Sequence, residues 1–127
     1  MKSILSALAV SVAAIVGLSW YAQAQQHVWQ ASITPLGFCQ LSGVSPAAGL
    51  SSCTGGIPTG AVVAWVIDES TNTRWRDDGT NPTASSGMLL ASGNWPPMVY
   101  NGDLTKIKFV AVSGTPVLDI AFYGKGY

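Results

Sequence analysis

Short apolar or alternating runs, each bounded by Gly, Pro, Asn or Asp, recur along the chain from His27 onward, and no helical pattern persists for about ten residues. Runs this short between turn-forming residues are typical of β-strands. The pattern predicts about seven strands in a single antiparallel β-sandwich or jelly-roll-like domain. The predicted strands are HVWQASI (27–33), AVVAWVID (61–68), TRWR (73–76), GMLLAS (87–92), PPMVYN (96–101), KIKFVAVS (106–113) and VLDIAFYG (117–124).

Three local patterns give finer expectations. AVVAWVID is apolar at seven successive positions, which predicts a central strand covered on both faces, with Trp65 in the core. TRWR is expected to return beside it after a turn at 69–72, so that Asp68 and Asp77 approach each other across a hairpin. Residues 36–59 contain both cysteines, two prolines and five glycines, which predicts a long irregular connection.

The first 24 residues predict a signal peptide or a membrane anchor. A single Lys2 precedes an apolar run from Ile4 to about Leu18, and Ala22 and Ala24 are the small residues that a signal peptidase reads. The folded domain is then expected over 25–127. Contact with a membrane is expected only through residues 1–24, and only if the segment is not cleaved.

The two cysteines, Cys39 and Cys53, are separated by 14 positions. In an exported protein they would form a disulfide that closes a loop of about 15 residues. The alternative is a pair of buried free thiols in a reducing compartment. No metal site is expected, because two cysteines and the single distant His27 do not supply the usual four zinc ligands.

Charged residues make up only 9% of the chain and the formal net charge is zero, whereas ordinary soluble domains carry about 25%. A chain without a positive field cannot neutralise nucleic acid phosphates, so no DNA or RNA partner is expected. After Lys2 the next charged residue is Asp68, and half of the charges lie between Asp68 and Asp78. A surface with so little charge is suited to packing against other protein.

The sequence is short of reactive groups, and no enzyme activity is predicted. The chain has one histidine, His27, and it contains no HExxH, GxSxG or phosphate-binding glycine loop. The neighbouring carboxylates Asp77 and Asp78 would point to opposite faces of a strand. A small hydrolase built on Asp68 and Asp77 remains as a minor alternative.

The charged segment and the exposed aromatics are the candidate binding surface. Arg74 and Arg76 are expected to pair with Asp77, Asp78 or Glu69 across strands, either to rigidify the domain or to face a partner. The alternative is a solvated hairpin without a binding role. The candidate residues are Arg74, Trp75, Arg76, Asp77, Asp78, Trp95 and Tyr100.

The stretches RWRDDGTNPTASSGMLLASG (74–93), NGDLTKIKFVAV (101–112) and LDIAFYG (118–124) resemble a group of small β-rich tailed-phage and prophage proteins. These carry an R-[WY]-R-D-D-G-x-x-P-T-x-x-x-G-M segment ahead of a D-L-x-x-[IL]-[KR]-F strand and a terminal aromatic strand. The resemblance covers about half of the chain. It implies a virion accessory protein, such as a capsid decoration or cement protein or a tail-associated protein.

Composition and resemblance together predict a non-enzymatic structural protein that contacts other virion or envelope subunits and forms a homo-oligomer. It would be located in a virion, or exported if the leader is cleaved. The alternative is an exported glycan-binding β-sandwich module that stacks sugars on Trp95, Trp75 or Tyr100. No cofactor is expected for either function.

Overall fold

A computed structural model describes residues 32–126 of the chain. This part is all-β, as predicted, and its strands form two four-stranded antiparallel sheets. A short 3₁₀ turn lies at Leu50–Ser52, and no helix within 32–126 has the length and hydropathy needed to cross a bilayer. The strands are β1 (Ile33–Ser42), β2 (Ala48–Gly49), β3 (Ala61–Asp68), β4 (Thr73–Arg76), β5 (Met88–Leu90), β6 (Met98–Tyr100), β7 (Lys108–Ala111) and β8 (Val117–Lys125).

Sheet A contains β1, β8, β3 and β6 in that order. Strand β8 lies inside the sheet, where Ile120 pairs with Cys39 of β1 on one side and with Val66 of β3 on the other. From Val117 to Gly124, the residues of β8 alternate between partly exposed and buried, because successive side chains of a strand point to opposite faces. One face of sheet A therefore meets the core and the other lies at the surface.

Sheet B contains β2, β7, β4 and β5 in that order. Phe109 of β7 pairs with Ala48 of β2 and with Trp75 of β4. Strand β4 also pairs with β5, and Trp75 lies opposite Met88. The β4–β5 hairpin, which carries most of the charged segment, therefore forms one edge of sheet B.

Buried side chains from both sheets form one hydrophobic cluster. Phe122 from β8 and Phe109 from β7 are its largest fully buried members. Leu50 in the 3₁₀ turn and Ile107 before β7 are also fully buried in this cluster. Removal of this apolar surface from water supplies the main favourable free energy of folding.

Strands β3 and β4 do not form the predicted hairpin. Strand β3 pairs with β6 and β8, whereas β4 pairs with β5 and β7 in the other sheet. Residues 69–72 instead carry the chain from sheet A to sheet B. The Glu69 amide donates to the Val117 carbonyl at 2.9 Å, and Ser70 Oγ donates to the Thr115 carbonyl at 3.2 Å, so this crossover is fastened to the start of β8.

Strand β1 occupies part of the segment for which the sequence predicted an irregular connection. Cys39 and Leu41 are buried, and the residues on either side of each are exposed, so the segment has the period of a half-buried strand. A register shift between Pro35 and Gly37 interrupts the pattern. The predicted first strand, 27–33, lies outside the described residues except for its last two positions, and the predicted leader, 1–24, lies wholly outside them.

Cys39 and Cys53 form the predicted disulfide, with their Cα atoms 5.7 Å apart. Both residues are buried. Cys39 lies on the inner face of β1, and Cys53 directly follows the 3₁₀ turn. The bond therefore fastens the connection after β1 to the edge of sheet A.

Candidate functional site

Arg74 holds the connection between β4 and β5 in place. Its Nε donates to the Ala84 carbonyl at 3.0 Å, and its Nη1 donates to the Gly87 carbonyl at 2.9 Å. A planar guanidinium can serve two such acceptors at once. Arg74 thus donates to backbone carbonyls, where the sequence predicted a cross-strand ion pair.

Arg76 forms an ion pair with Asp78, two residues further along the chain. Hydrogen bonding to the Arg76 guanidinium, helped by the Thr80 amide, lowers the pKa of Asp78 to about 2. The carboxylate is therefore ionised at neutral pH. Asp78 is exposed and Arg76 is half-buried, and ion pairs so open to solvent contribute little to stability.

The connection 77–87 has a fixed backbone conformation. Thr83 and Ser86 exchange backbone hydrogen bonds of 2.9 and 3.1 Å, and Lys108 Nζ donates to Asn81 Oδ1 at 2.9 Å. Gly87 adopts a φ of +132°, and a Cβ there would lie 3.0 Å from the Trp75 carbonyl oxygen. Glycine is needed at this position because the chain passes so close to β4.

A surface groove of about 430 Å³ runs beside the hairpin. Trp75 in its wall packs edge-on against Tyr100, with ring centroids 6.3 Å apart. Tyr100 is only 8% exposed, and burial, followed by the nearby Asp77 and Asp103 carboxylates, raises its pKa. Tyr100 is therefore a packing partner of Trp75, and it is too buried to stack on a ligand. The groove is lined by Trp75, Arg76, Asp77, Asp78, Ser86, Gly87 and Met88.

Trp95 is exposed, as predicted, with 82% of its surface accessible. The residue before it is fixed to the end of β3, because the Asn94 side chain accepts from the Asp68 amide at 2.8 Å and donates to the Val66 carbonyl at 3.1 Å. Trp95 does not line the groove of the hairpin. The candidate residues therefore do not form one site.

The surface side of sheet A carries a continuous set of apolar side chains that sequence reasoning missed. Phe38 of β1 pairs with Ala121 of β8. Ala121 also pairs with Trp65 of β3, which in turn pairs with Val99 of β6. Phe38 and Val99 are 66% and 59% exposed. We call this surface the apolar face, and it consists of Phe38, Val63, Trp65, Ile67, Val99, Ala121 and Tyr123.

Trp65 was expected in the core, and the structure places it on the apolar face. Its ring packs against Tyr123, with centroids 5.1 Å apart, and it is not a member of the core cluster. The neighbours Ala64 and Val66 are fully buried instead. The seven successive apolar residues of β3 predicted that both of its sides are covered. Within residues 32–126 only the inner side is covered.

A notch of about 240 Å³ opens on the apolar face. Ala121 lies between Phe38 and Trp65 in the register of the sheet, so its small side chain leaves a gap between two rings. At the margin, Gln40 Nε2 donates to Asp119 Oδ1 at 3.0 Å. The notch is lined by Phe38, Trp65, Ile67, Pro97, Asp119 and Ala121.

Asp68 is fully buried at the end of β3. Its Oδ1 accepts from the Ser70 amide at 3.3 Å, while its Oδ2 and the Oγ1 atoms of Thr71 and Thr73 have no hydrogen-bond partner among the described residues. Burial raises the pKa of Asp68, and the Ser70 amide partly offsets this effect. Asp77 is exposed and follows a strand of the other sheet, so the hairpin that would unite these two carboxylates is not formed.

Asp68→Asn is expected to remove a pH dependence of stability. A carboxyl whose pKa is raised by folding above its ordinary value of 3.8 binds more protons in the folded state, so its contribution to stability is lost as the pH rises through the raised pKa. Urea unfolding should therefore be measured between about pH 3 and about pH 7. The free energy of unfolding of the variant, relative to that of the natural protein, should rise with pH.

Asp103→Asn provides a control of opposite sign. Hydrogen bonds from the Thr105 hydroxyl and amide lower the pKa of Asp103, so this carboxyl stabilises the folded state above its ordinary pKa and loses that effect in acid. The free energy of unfolding of Asp103→Asn, relative to that of the natural protein, should fall as the pH rises. Parallel pH profiles for the natural protein and Asp68→Asn would contradict the assignment.

Within residues 32–126, no group of three or more His, Cys, Asp or Glu side chains is placed to hold a metal ion. His27 lies outside the described residues. Compared with protein-family models, with curated proteins and with solved structures, the chain shows no significant match.

Proposed function

We propose that the protein is a non-enzymatic structural protein that acts through protein–protein contacts, as an accessory subunit of a virion or of a cell envelope. The observation that carries this proposal is the apolar face. The largest exposed apolar patch of a soluble protein is often functional, and such patches mark contacts with proteins, membranes or ligands; we propose a protein contact for this one. We also propose that the two sheets, whose buried side chains form one core, make up a β-sandwich or jelly-roll-like domain.

The virion setting is proposed from the resemblance of residues 74–93 to phage accessory proteins, and it includes capsid decoration and tail-associated roles. The Cys39–Cys53 disulfide supports a location outside a reducing cytoplasm, because disulfides persist in secreted proteins and on virion surfaces. The hairpin has a supporting role, since Arg74 is engaged with the backbone of its own loop.

Val99→Lys is expected to release the protein from the assembly that contains it. Assembled particles and envelope fractions would be separated by density from the native source, with the protein followed by immunoblot. The natural protein should sediment with one of these fractions, and Val99→Lys should remain in the soluble fraction, because a lysine ammonium cannot be buried there without a large desolvation cost.

Leu89→Lys is the matched control. Leu89 is 54% exposed and Val99 is 59% exposed, and each lies in a three-residue strand, but Leu89 belongs to sheet B. This variant should stay with the assembly. A natural protein that sediments with no assembly, or two variants that are released equally, would contradict the proposed function.

Glycan binding is a second candidate function, favoured by the 82% exposure of Trp95. An exposed indole can stack on the apolar side of a sugar ring. Binding on a glycan array that Trp95→Ala abolishes, and that Leu89→Lys leaves intact, would favour this function over the structural one.

A further inference from the structure

We propose that the apolar face binds the same face of a second copy of this chain, so that the protein forms a two-fold symmetric dimer in which Phe38 of each copy enters the notch of the other. This inference rests on the proposed function: the apolar face joins two copies, and the dimer is the unit that enters the assembly, so that Val99→Lys would release the protein by dissociating the dimer.

The apolar face carries a projecting ring beside a gap of suitable size. Phe38 is 66% exposed, and the notch beside it has a volume of about 240 Å³. A cavity of roughly 150 Å³ is enough to hold a benzene molecule, so the notch has room for a phenyl ring. Ala121 leaves this gap open because it is the small residue between Phe38 and Trp65.

A two-fold axis satisfies both features at once. In such an interface the same patch is used on both subunits, so each copy supplies one ring and one notch. A different protein would have to offer its own apolar side chain to the notch and its own recess to Phe38. The shape of this face is therefore complementary to itself.

The charge of the molecule allows this pairing. The chain has a formal net charge of zero, so two copies do not repel each other at long range. Asp119, which lines the notch, accepts a hydrogen bond from Gln40 and lies beside the Glu69 carboxyl, whose pKa it raises. The edge of a phenyl ring carries partial positive charge, so an entering Phe38 presents a suitable edge to the Asp119 carboxylate.

A flat sugar polymer is a poorer occupant of the apolar face. The Trp65 and Tyr123 rings are tilted by 46° to each other, so they do not form the level platform on which successive sugar rings would stack. The polar groups of the notch margin, Gln40 and Asp119, are hydrogen-bonded to each other at 3.0 Å. An apolar side chain fits this environment better.

The area is sufficient for a reversible dimer. Three strands with about eight residues each and β6 with three, spaced about 4.8 Å apart, present roughly 430 Å². Two such faces bury roughly 860 Å², an area typical of weak, transient complexes. An interface of this size predicts a dimer that dissociates on dilution.

Sedimentation equilibrium of the full chain, from about 1 µM to about 1 mM, tests the proposal. The natural protein should change from the mass of one chain to the mass of two as its concentration rises. Phe38→Glu should weaken the dimer roughly a hundredfold or more, because the symmetry removes two buried rings with one substitution. Leu89→Glu, which is on sheet B, should dimerise like the natural protein.

Ala121→Phe separates a specific fit from general stickiness. This substitution adds apolar surface but fills the notch from its own side, so it should weaken the dimer as Phe38→Glu does. If the apolar face merely aggregated, the added ring would strengthen association. Circular dichroism spectra like those of the natural protein would show that the variants are folded.

Three outcomes would overturn the dimer: a natural protein that stays monomeric throughout, equal weakening by the Phe38 and Leu89 variants, or a stronger association of Ala121→Phe. The proposed function fails separately. A monomeric protein that Val99→Lys still releases from its assembly would show that the face binds a different protein, so the structural function would stand without the dimer. If the protein forms a dimer but sediments with no assembly, the dimer stands and the proposed structural function fails.

Discussion

Phe122→Ala is expected to reduce the free energy of unfolding by about 3 to 5 kcal/mol, the usual cost of deleting a buried phenyl ring. Phe122 is 1% exposed on the inner face of β8. Its neighbours across the sheet are Gly37 and Ala64, which are too small to fill the space that the ring would leave. Since domains have a total stability of about 5 to 15 kcal/mol, this variant should unfold at a much lower urea concentration.

Phe38→Ala is the control for this prediction. It makes the same chemical change in the same sheet, but Phe38 is 66% exposed on the opposite face. The cost should be within about 0.5 kcal/mol, provided that the protein is dilute enough for association to contribute nothing. If Phe38→Ala cost as much as Phe122→Ala, the assignment of the two faces of sheet A would be wrong.

Removal of the disulfide is expected to cost about 3 kcal/mol, because the bond closes a loop of about 15 residues in the unfolded chain. The test is the double variant Cys39→Ala/Cys53→Ala, compared with the natural protein in urea under oxidising conditions. Alanine is preferred to serine because both positions are buried, and burial of a serine hydroxyl without a hydrogen bond would itself destabilise the protein.

Reduction of the natural protein provides the internal control for the disulfide. A reducing agent should lower the urea midpoint of the natural protein towards that of the double variant and leave the double variant unchanged. The intact mass of the oxidised protein should lie about 2 Da below that of the reduced protein, for the two hydrogens lost in the bond. Identical urea midpoints with and without reductant would argue against a stabilising disulfide.

Strand positions could be predicted wherever a run of the sequence carries its own pattern. Runs such as 61–68 and 117–124 lie between turn residues, and they became β3 and β8 with nearly the predicted bounds. In the structure, β1 alternates between exposed and buried residues from Phe38 to Ser42. The sequence does not indicate this strand, because the glycines and prolines around it favour an irregular connection.

Strand partners could not be predicted, because pairing is a property of residues far apart in the chain. The turn at 69–72 looks like a hairpin turn, but it joins two sheets. The apolar face was missed for a related reason. A strand with apolar residues at every position has the same local sequence whether its outer face is covered or free, so Trp65 was assigned to the core.

The position of β8 has a consequence for how the chain becomes folded during synthesis. Strands β1 and β3 each pair with β8 and not with each other, so β1 cannot join sheet A before β8 has left the ribosome, and only the ladder of β3 with β6 can form earlier. The nascent polypeptide must therefore close contacts between residues as distant as Ile33 and Lys125 to complete sheet A. Such non-local closure makes folding slow and leaves the incomplete sheet exposed to aggregation.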